Sequence, residues 1–187
     1  MAQRLLVVAH AATLETRALV FGQPGESLAG EVRPLKGRVA SWFSGPEQVC
    51  QTTAARLGGR AEVIPELRDC DFGEWTGLSL GHVAADDPSG LDAWLRDPSV
   101  APHGGESLVD MITRVASPLD EYPWPEGRSV VVVTSLVARA LTVRALSANP
   151  EVIFHVDIGP LGRVSLSRNH GVWRLARLEP GVARLAD

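Results

Sequence analysis

Two short runs of consecutive apolar residues constrain the fold of this chain more than any other feature. They cover residues 4–9 (RLLVVA) and 129–134 (SVVVVT). Each run has the length of one strand, and neither is long enough to cross a bilayer as a helix. Because no polar residues alternate with the apolar ones, we expect both strands to be buried on both faces, as in a parallel sheet covered by helices.

The rest of the chain predicts further strands and helices that alternate along the sequence. Predicted strands follow at 38–43, 61–64, 163–167 and 172–178, the last two paired as a hairpin across Asn169-His170-Gly171. The first predicted helix runs from a cap at Ser44 to Leu57. Two short helices, broken by Pro88 and Gly90, are predicted between 78 and 97. Longer helices are predicted over 106–120 and 137–148. This order predicts a single α/β domain over 1–187, a three-layer α/β/α sandwich around a mostly parallel central sheet.

Composition excludes several classes of function. The 187 residues carry a formal net charge of −4, so we expect no nucleic-acid partner. Cys50 and Cys70 are too few for a disulfide framework and are expected to be reduced thiols. The N-terminus lacks the apolar stretch of a signal peptide, and the histidines show no metal-ligand spacing. We therefore expect a cytoplasmic protein with no membrane contact, metal or cofactor, and the sequence leaves a homodimer open.

Two polar residues mark the expected site. His10 directly follows the first buried strand, and Ser135 directly follows the more strongly predicted one. Ligands of open α/β sheets bind at the carboxyl ends of the strands. The sequence therefore predicts a small-molecule pocket at the edge of the sheet where these two side chains emerge.

Five segments, in the same order and spacing, resemble the motifs of the histidine phosphatase (phosphoglycerate mutase-like) superfamily. They are LLVVAHAATLETR, SGPEQVCQTTAARLG, LRDCDFGEWTGLSL, PHGGESL and VVVVTSLVARAL. The resemblance extends over nearly the whole chain and implies the phosphoglycerate mutase-like fold. In that family a histidine attacks phosphorus, two arginines and a second histidine hold the phosphate oxygens, and a carboxylic acid protonates the leaving oxygen. The motif positions imply that His10 is the nucleophile and Asp69 the acid.

Most of the family's phosphate clamp is replaced in this chain. Ala9 stands where an arginine precedes the nucleophile, Gln48 replaces the arginine of the second motif, and Ser135 takes the place of the second histidine. Loss of one preorganised donor commonly lowers a rate by about 10²–10³-fold. Three such losses predict that efficient phosphoryl transfer through His10 does not survive.

Thr13, Arg17 and Glu106 complete the predicted pocket. Arg17 lies seven residues after His10, and Arg139 lies four residues after Ser135 on the following helix. These two arginines are the candidates for a relocated anion-binding group. One or two of them would bind an anion weakly without rebuilding the clamp.

Three functions remain open at this point. The first is a repurposed enzyme in which His10 and Asp69 act as an acid–base pair on an uncharged or weakly anionic small molecule, by proton transfer, dehydration, isomerisation or hydrolysis. The second is a residual phosphatase that acts on a small phosphate ester through phosphohistidine, with Arg17 or Arg139 in the clamp. The third is a pseudophosphatase, a non-catalytic binding or scaffold protein whose pocket is vestigial.

Overall fold

A six-stranded sheet forms the centre of the molecule in the computed structural model, which describes residues 3–23, 25, 27–179 and 181. Its strands are β1 (Gln3–Ala9), β2 (Ser41–Ser44), β3 (Glu62–Val63), β4 (Gly127–Val133), β5 (Arg163–Asn169) and β6 (Val172–Glu179). They lie in the order β3-β2-β4-β1-β5-β6. The first four in that order are parallel, while β5 and β6 are antiparallel additions at one edge. The mostly parallel sheet predicted from the sequence is confirmed.

Helices cover both faces of this sheet. They are α1 (Leu14–Arg17), α2 (Gln48–Leu57), α3 (Leu80–Asp86), α4 (Pro88–Arg96), α5 (Leu108–Glu121) and α6 (Ser135–Ala145), with shorter 3₁₀ turns at 65–67, 73–75 and 150–155. Leu6 and Val8 of β1 pack with the buried side of α2, whereas Leu5, Val7 and Ala9 belong to the larger core on the face of α5 and α6. Both faces of β1 are therefore buried, which explains why polar and apolar residues do not alternate along it.

The register of the two central strands sets the position of the site. Ala9 pairs with Val133 in the parallel β1–β4 ladder, and the backbone N–H of His10 donates to the carbonyl of Val133 at 2.9 Å. His10 and Thr134 are therefore the first residues beyond the paired strands. Thr134 also caps α6, since its side chain accepts from the backbone N–H of Val137.

Several predicted boundaries are wrong, and local hydrogen bonding explains why. Ser44 ends β2 instead of capping the next helix, which is preceded by Glu47. The predicted break at Pro88 is confirmed, since Pro88 starts α4; the side chain of Asp87 accepts from the backbone N–H of Gly90 and caps this helix. Gly90 consequently lies inside α4 and does not break it.

Other boundaries differ from the prediction by a few residues, and one helix was not predicted. The second strand begins at Ser41 and not at residue 38, and α6 begins at Ser135 and not at residue 137. The short helix α1 has no counterpart in the prediction; Thr13 caps it, and Thr13 and Thr16 form a reciprocal capping box. Among the described residues between Ser27 and Ala40, no helix or strand forms, so this connection is an extended loop. Of the helices in the described part of the chain, none is long and apolar enough to span a membrane.

Candidate functional site

The carboxyl edge of the sheet opens into a cavity of about 470 Å³. Its polar lining comprises His10, Thr16, Asp69, Thr134, Ser135, Arg139 and Asp157. Most of the remaining lining is apolar and includes the aromatic rings of Phe21, Phe72 and Trp94. The structure therefore brings His10, Asp69 and Ser135 to one cavity, as the sequence predicts.

His10 is buried and held in one tautomer. Its Nδ1 lies 2.7 Å from the carbonyl oxygen of Ala11. Because a carbonyl oxygen only accepts, Nδ1 carries the proton and Nε2 holds a free lone pair. Burial lowers the pKa of His10, and the bond to Ala11 opposes this only in part. Near neutral pH the imidazole is therefore uncharged, and its Nε2 can act as a base or as a nucleophile.

Asp69 is a carboxyl group kept partly protonated by its surroundings. Its pKa is raised to about 6, chiefly by burial; a hydrogen bond from Thr134 opposes this rise and the neighbouring Glu47 carboxylate adds to it. In that hydrogen bond the Thr134 hydroxyl donates to Oδ1 of Asp69 at 2.7 Å. A carboxyl group with a pKa near the working pH is suited to general acid catalysis. His10 and Asp69 thus offer a base and an acid to one cavity.

Glu47 is a member of the site that sequence reasoning missed. Its Oε1 accepts the backbone N–H of Asp69 at 2.7 Å, while its Oε2 is buried and has no hydrogen-bond partner among the described residues. Glu47 also raises the pKa of the Cys50 thiol, although burial is the larger cause there. The chain places a buried carboxylate one residue before Gln48, where the resembling motif carries a cation. This adds negative charge to the neighbourhood of the cavity.

The remaining clamp positions supply no positive charge. Ala9 is fully buried in the central strand. Gln48 is exposed on α2, and its side chain donates to Thr52 at 3.4 Å instead of lining the cavity. Ser135 lines the cavity, but the strand register places Thr134, not Ser135, directly beside His10.

Arg17 also lies outside the cavity, which corrects its assignment to the pocket. Its side chain is exposed, and Nη2 donates to the carbonyl of Ala29 at 3.1 Å. The capped turn of α1 turns it toward the loop that follows. Thr13 is buried and does not line the cavity; it caps α1, whose Thr16 does line it.

Glu106 supports the acid-bearing loop from outside the cavity. Its carboxylate pairs with Arg114 through two hydrogen bonds of 2.7 and 2.6 Å. The same guanidinium donates to the backbone carbonyls of Glu66, Arg68 and Asp69. Glu106 is therefore linked to Asp69 through Arg114. It does not reach the ligand space.

Gly73 and Gly105 allow the acid-bearing loop to pack closely against the segment at 103–106. The backbone N–H of Glu106 donates to the carbonyl of Asp71 at 2.8 Å, and that of Glu74 donates to the carbonyl of His103 at 2.9 Å. A Cβ at Gly105 would collide with the Asp71 carbonyl, and one at Gly73 with the His103 carbonyl. The resembling Gly-Glu-Ser segment is thus a support for the acid-bearing loop.

Arg139 is the cation that does reach the cavity. Its Nη2 donates to Oδ1 of Asp157 at 3.0 Å, and both residues are part of the lining. No other lysine or arginine belongs to the lining in the described part of the chain. In that same part, no group of three or more His, Cys, Asp or Glu side chains is arranged to hold a metal ion.

Comparison with known proteins identifies a matching family model and several related proteins. A family model described as the histidine phosphatase superfamily, branch 1, matches residues 23–180. A bifunctional protein of Mycobacterium tuberculosis is 34% identical over 134 residues, which are 67% of this chain and 37% of that protein. A glucosyl-3-phosphoglycerate phosphatase of the same species is 33% identical over 134 residues, or 65% of this chain and 60% of the relative. This chain thus spans less than two thirds of the length of either relative.

Solved structures extend the similarity to almost the whole chain. A mycobacterial glucosyl-3-phosphoglycerate phosphatase in complex with VO₃ has a TM-score of 0.75 and 25% identity, covering 96% of this chain and 100% of that one. A structure described as a putative alpha-ribazole-5'-P phosphatase from Escherichia coli has a TM-score of 0.79 at 21% identity, covering 97% of this chain and 100% of that one, and shares the fold. The segment that carries His10 lies before the range matched by the family model.

Proposed function

This chain belongs to the histidine phosphatase superfamily, and from that premise we propose that it is an enzyme whose His10 and Asp69 perform acid–base chemistry on an uncharged or weakly anionic small molecule. One observation carries the proposal. His10 and Asp69 line a mainly apolar cavity in which a single guanidinium of the described chain, that of Arg139, supplies positive charge. Such a cavity suits a substrate with little charge better than a phosphate dianion.

Hydrolysis illustrates how the two groups share the work. Nε2 of His10 takes a proton from a water molecule as its oxygen attacks the electrophilic carbon of an ester. When the bond from that carbon to the leaving oxygen breaks, the carboxyl of Asp69 gives its proton to the leaving oxygen. The proton on His10 then returns to Asp69 through solvent, which restores both groups. The roles require an uncharged His10 and a protonated Asp69. Burial lowers the pKa of His10 and raises that of Asp69 to about 6, so the share of molecules in both states is greatest at mildly acidic pH.

Electrostatics argues against a phosphoryl group in the same position. A phosphoryl transition state carries negative charge on several oxygens and is stabilised by cationic donors. Here Asp69 and the buried carboxylate of Glu47 stand close together, joined by the hydrogen bond from the Asp69 backbone N–H to Glu47. Among the described residues that line the cavity, a bound dianion would find a single guanidinium, shared with Asp157, to offset its charge.

Two aryl substrates test the proposal. p-Nitrophenyl butyrate presents an uncharged ester and p-nitrophenyl phosphate a dianion, and both release the same chromophore. We expect hydrolysis of the butyrate to fall by about 10²-fold or more in His10→Ala, and to fall much less in Asp69→Asn, because p-nitrophenolate leaves without being protonated. His82→Ala is the matched control, because His82 is exposed and pairs with Asp86 outside the cavity. Butyrate hydrolysis that is equal in the wild type and in His10→Ala would refute the acid–base role.

Residual phosphatase activity is the second candidate. It is supported by the 33% identity to a glucosyl-3-phosphoglycerate phosphatase and by the presence of Arg139 in the cavity. A ligand at 100 times its Kd stabilises a fold by about 2.7 kcal/mol, so inorganic phosphate or orthovanadate would raise the melting temperature. A rise in the wild type that disappears in Arg139→Gln would favour this candidate over the first.

A further inference from the structure

We propose that Arg139 sets the specificity of this cavity by binding a carboxylate at one end of a substrate whose body is apolar, with Asp157 occupying that position when no ligand is bound. The inference rests on the proposed function only in taking this cavity as the substrate site. It adds the substrate class: a small monocarboxylic acid with an aromatic or aliphatic body.

Arg139 has unused hydrogen-bonding capacity. A guanidinium carries five N–H donors. In the described part of the chain a single one of them has a partner, the bond from Nη2 to Oδ1 of Asp157 at 3.0 Å. Its Nε is buried without a partner. Once Asp157 moves away, the two terminal Nη nitrogens can donate two parallel bonds to a planar carboxylate, which a neutral acceptor cannot match.

Asp157 is a weak competitor for that guanidinium. Its side chain is 94% exposed, whereas that of Arg139 is 30% exposed. An ion pair with one fully solvated member contributes little net free energy, because water and salt screen it. A ligand carboxylate held within the cavity loses that screening, so it can displace the Asp157 carboxylate into solvent.

The other walls of the cavity define the body of the ligand. Phe21 forms a ring cluster with Phe72 and Trp94, with ring centroids 5.1 and 5.8 Å away. Leu19 and Leu95 also line the cavity and remain 60% and 49% exposed. Apolar side chains left open to water beside an aromatic wall are typical of a site that binds an apolar group.

The charge count favours a monoanion. Arg139 supplies one positive charge, and the carboxyl of Asp69 in the same cavity, with a pKa of about 6, is mostly ionised near neutral pH. A single carboxylate neutralises Arg139 once Asp157 has moved away. A second negative charge on the ligand would have no cationic partner among the lining residues of the described chain.

Calorimetric titration with 3-phenylpropionate and its uncharged amide tests the proposal. We expect the acid to bind the wild type more tightly than the amide does. Asp157→Asn is expected to tighten binding of the acid by about twofold to fivefold, the range of an exposed ion pair. Arg139→Gln is expected to weaken it by about tenfold to a hundredfold, the range of a lost charge-assisted hydrogen bond. The amide should respond to neither substitution.

The double variant separates a specific contact from a general effect of charge. If Arg139 is the anchor, Asp157→Asn gains nothing in the Arg139→Gln background, since its effect passes through the guanidinium. Arg17→Gln, an exposed arginine outside the cavity, is the matched control and should leave the Kd unchanged. Melting temperatures of all variants verify that they are folded.

Any of three results would overturn the proposal. They are tight binding of the acid to Arg139→Gln, tighter binding of the acid on Asp157→Asn that persists in the Arg139→Gln background, and no measurable binding of the acid to Asp157→Asn. Because binding is measured at equilibrium, none of these results depends on turnover. Carboxylate binding without His10-dependent catalysis would contradict the proposed function while supporting this inference.

Discussion

Replacing Asp69 by asparagine is expected to make the fold more stable at neutral and alkaline pH. The carboxyl of Asp69 has a pKa of about 6 in the folded chain, chiefly because it is buried, against about 3.9 in an unfolded chain. The folded state therefore holds the proton more tightly than the unfolded state. Stability contributed by this group is present below pH 4 and is lost as the pH rises through about 6.

The size of the effect follows from these two values. A pKa difference of about 2 corresponds to about 3 kcal/mol of stability lost above pH 7. Asparagine has no charge to bury, and its Oδ1 can still accept the hydroxyl of Thr134, which bonds Oδ1 of Asp69 in the native chain. For a chain of this size, 3 kcal/mol corresponds to a rise in melting temperature of roughly 6–12 °C.

Urea unfolding at pH 4 and at pH 8 measures the difference directly. We expect Asp69→Asn to exceed the wild type by up to about 3 kcal/mol at pH 8 and by almost nothing at pH 4. Asp71→Asn is the matched control, because Asp71 lies two residues away and is exposed. The reasoning fails if Asp69→Asn is no more stable than the wild type at pH 8, or if its gain is the same at both pH values.

Other predictions concern the pH profile and the supports of the site. Turnover that depends on His10 should fall as pH rises through about 6, where Asp69 loses its proton. It should also fall at more acidic pH, where His10, whose pKa burial lowers, becomes charged; a pH–rate profile checks both limbs. Thr134→Val should move the alkaline limb to higher pH because it removes a bond that lowers the pKa of Asp69, and Thr134→Ser should restore it; an unmoved limb would contradict the role of this bond. Arg114→Met should lower the free energy of unfolding by about 3–5 kcal/mol in urea titrations, because the half-buried Glu106 carboxylate loses its closest partner. A loss below about 1 kcal/mol would show that water takes the place of the Arg114 guanidinium. Arg17→Ala should leave turnover unchanged, and a tenfold loss would return Arg17 to the site.

The sequence predicted the architecture because the strands leave an unambiguous pattern. The runs at 4–9 and 129–134 have no polar interruption, and the structure packs both faces of β1 and β4 against helices. Boundaries were less predictable where a local bond competes with the pattern. The Asp87 side chain caps α4, so Gly90 lies inside that helix. Thr134 caps α6, which therefore begins at Ser135, two residues before the predicted start.

The site was predictable in its principal groups but not in their surroundings. His10 and Asp69 were identified from motif positions, and both line the cavity. The direction of Arg17 depends on the length and capping of α1, a four-residue helix too short to leave a periodic signal. The role of Glu47 depends on a contact with Asp69 across 22 positions of sequence, which no local pattern encodes.

Trapping a phosphoryl group on His10 tests the central claim most directly. The Asp69→Asn variant is mixed with p-nitrophenyl phosphate, whose leaving group needs no acid, quenched at alkaline pH and measured as intact protein by mass spectrometry. A phosphohistidine enzyme that lacks its acid–base group would accumulate the intermediate, because water is no longer activated to release it. We predict no phosphoryl adduct beyond that of the Asp69→Asn, His10→Ala double variant. An adduct on His10 in Asp69→Asn alone would contradict the account and return this chain to phosphoryl transfer.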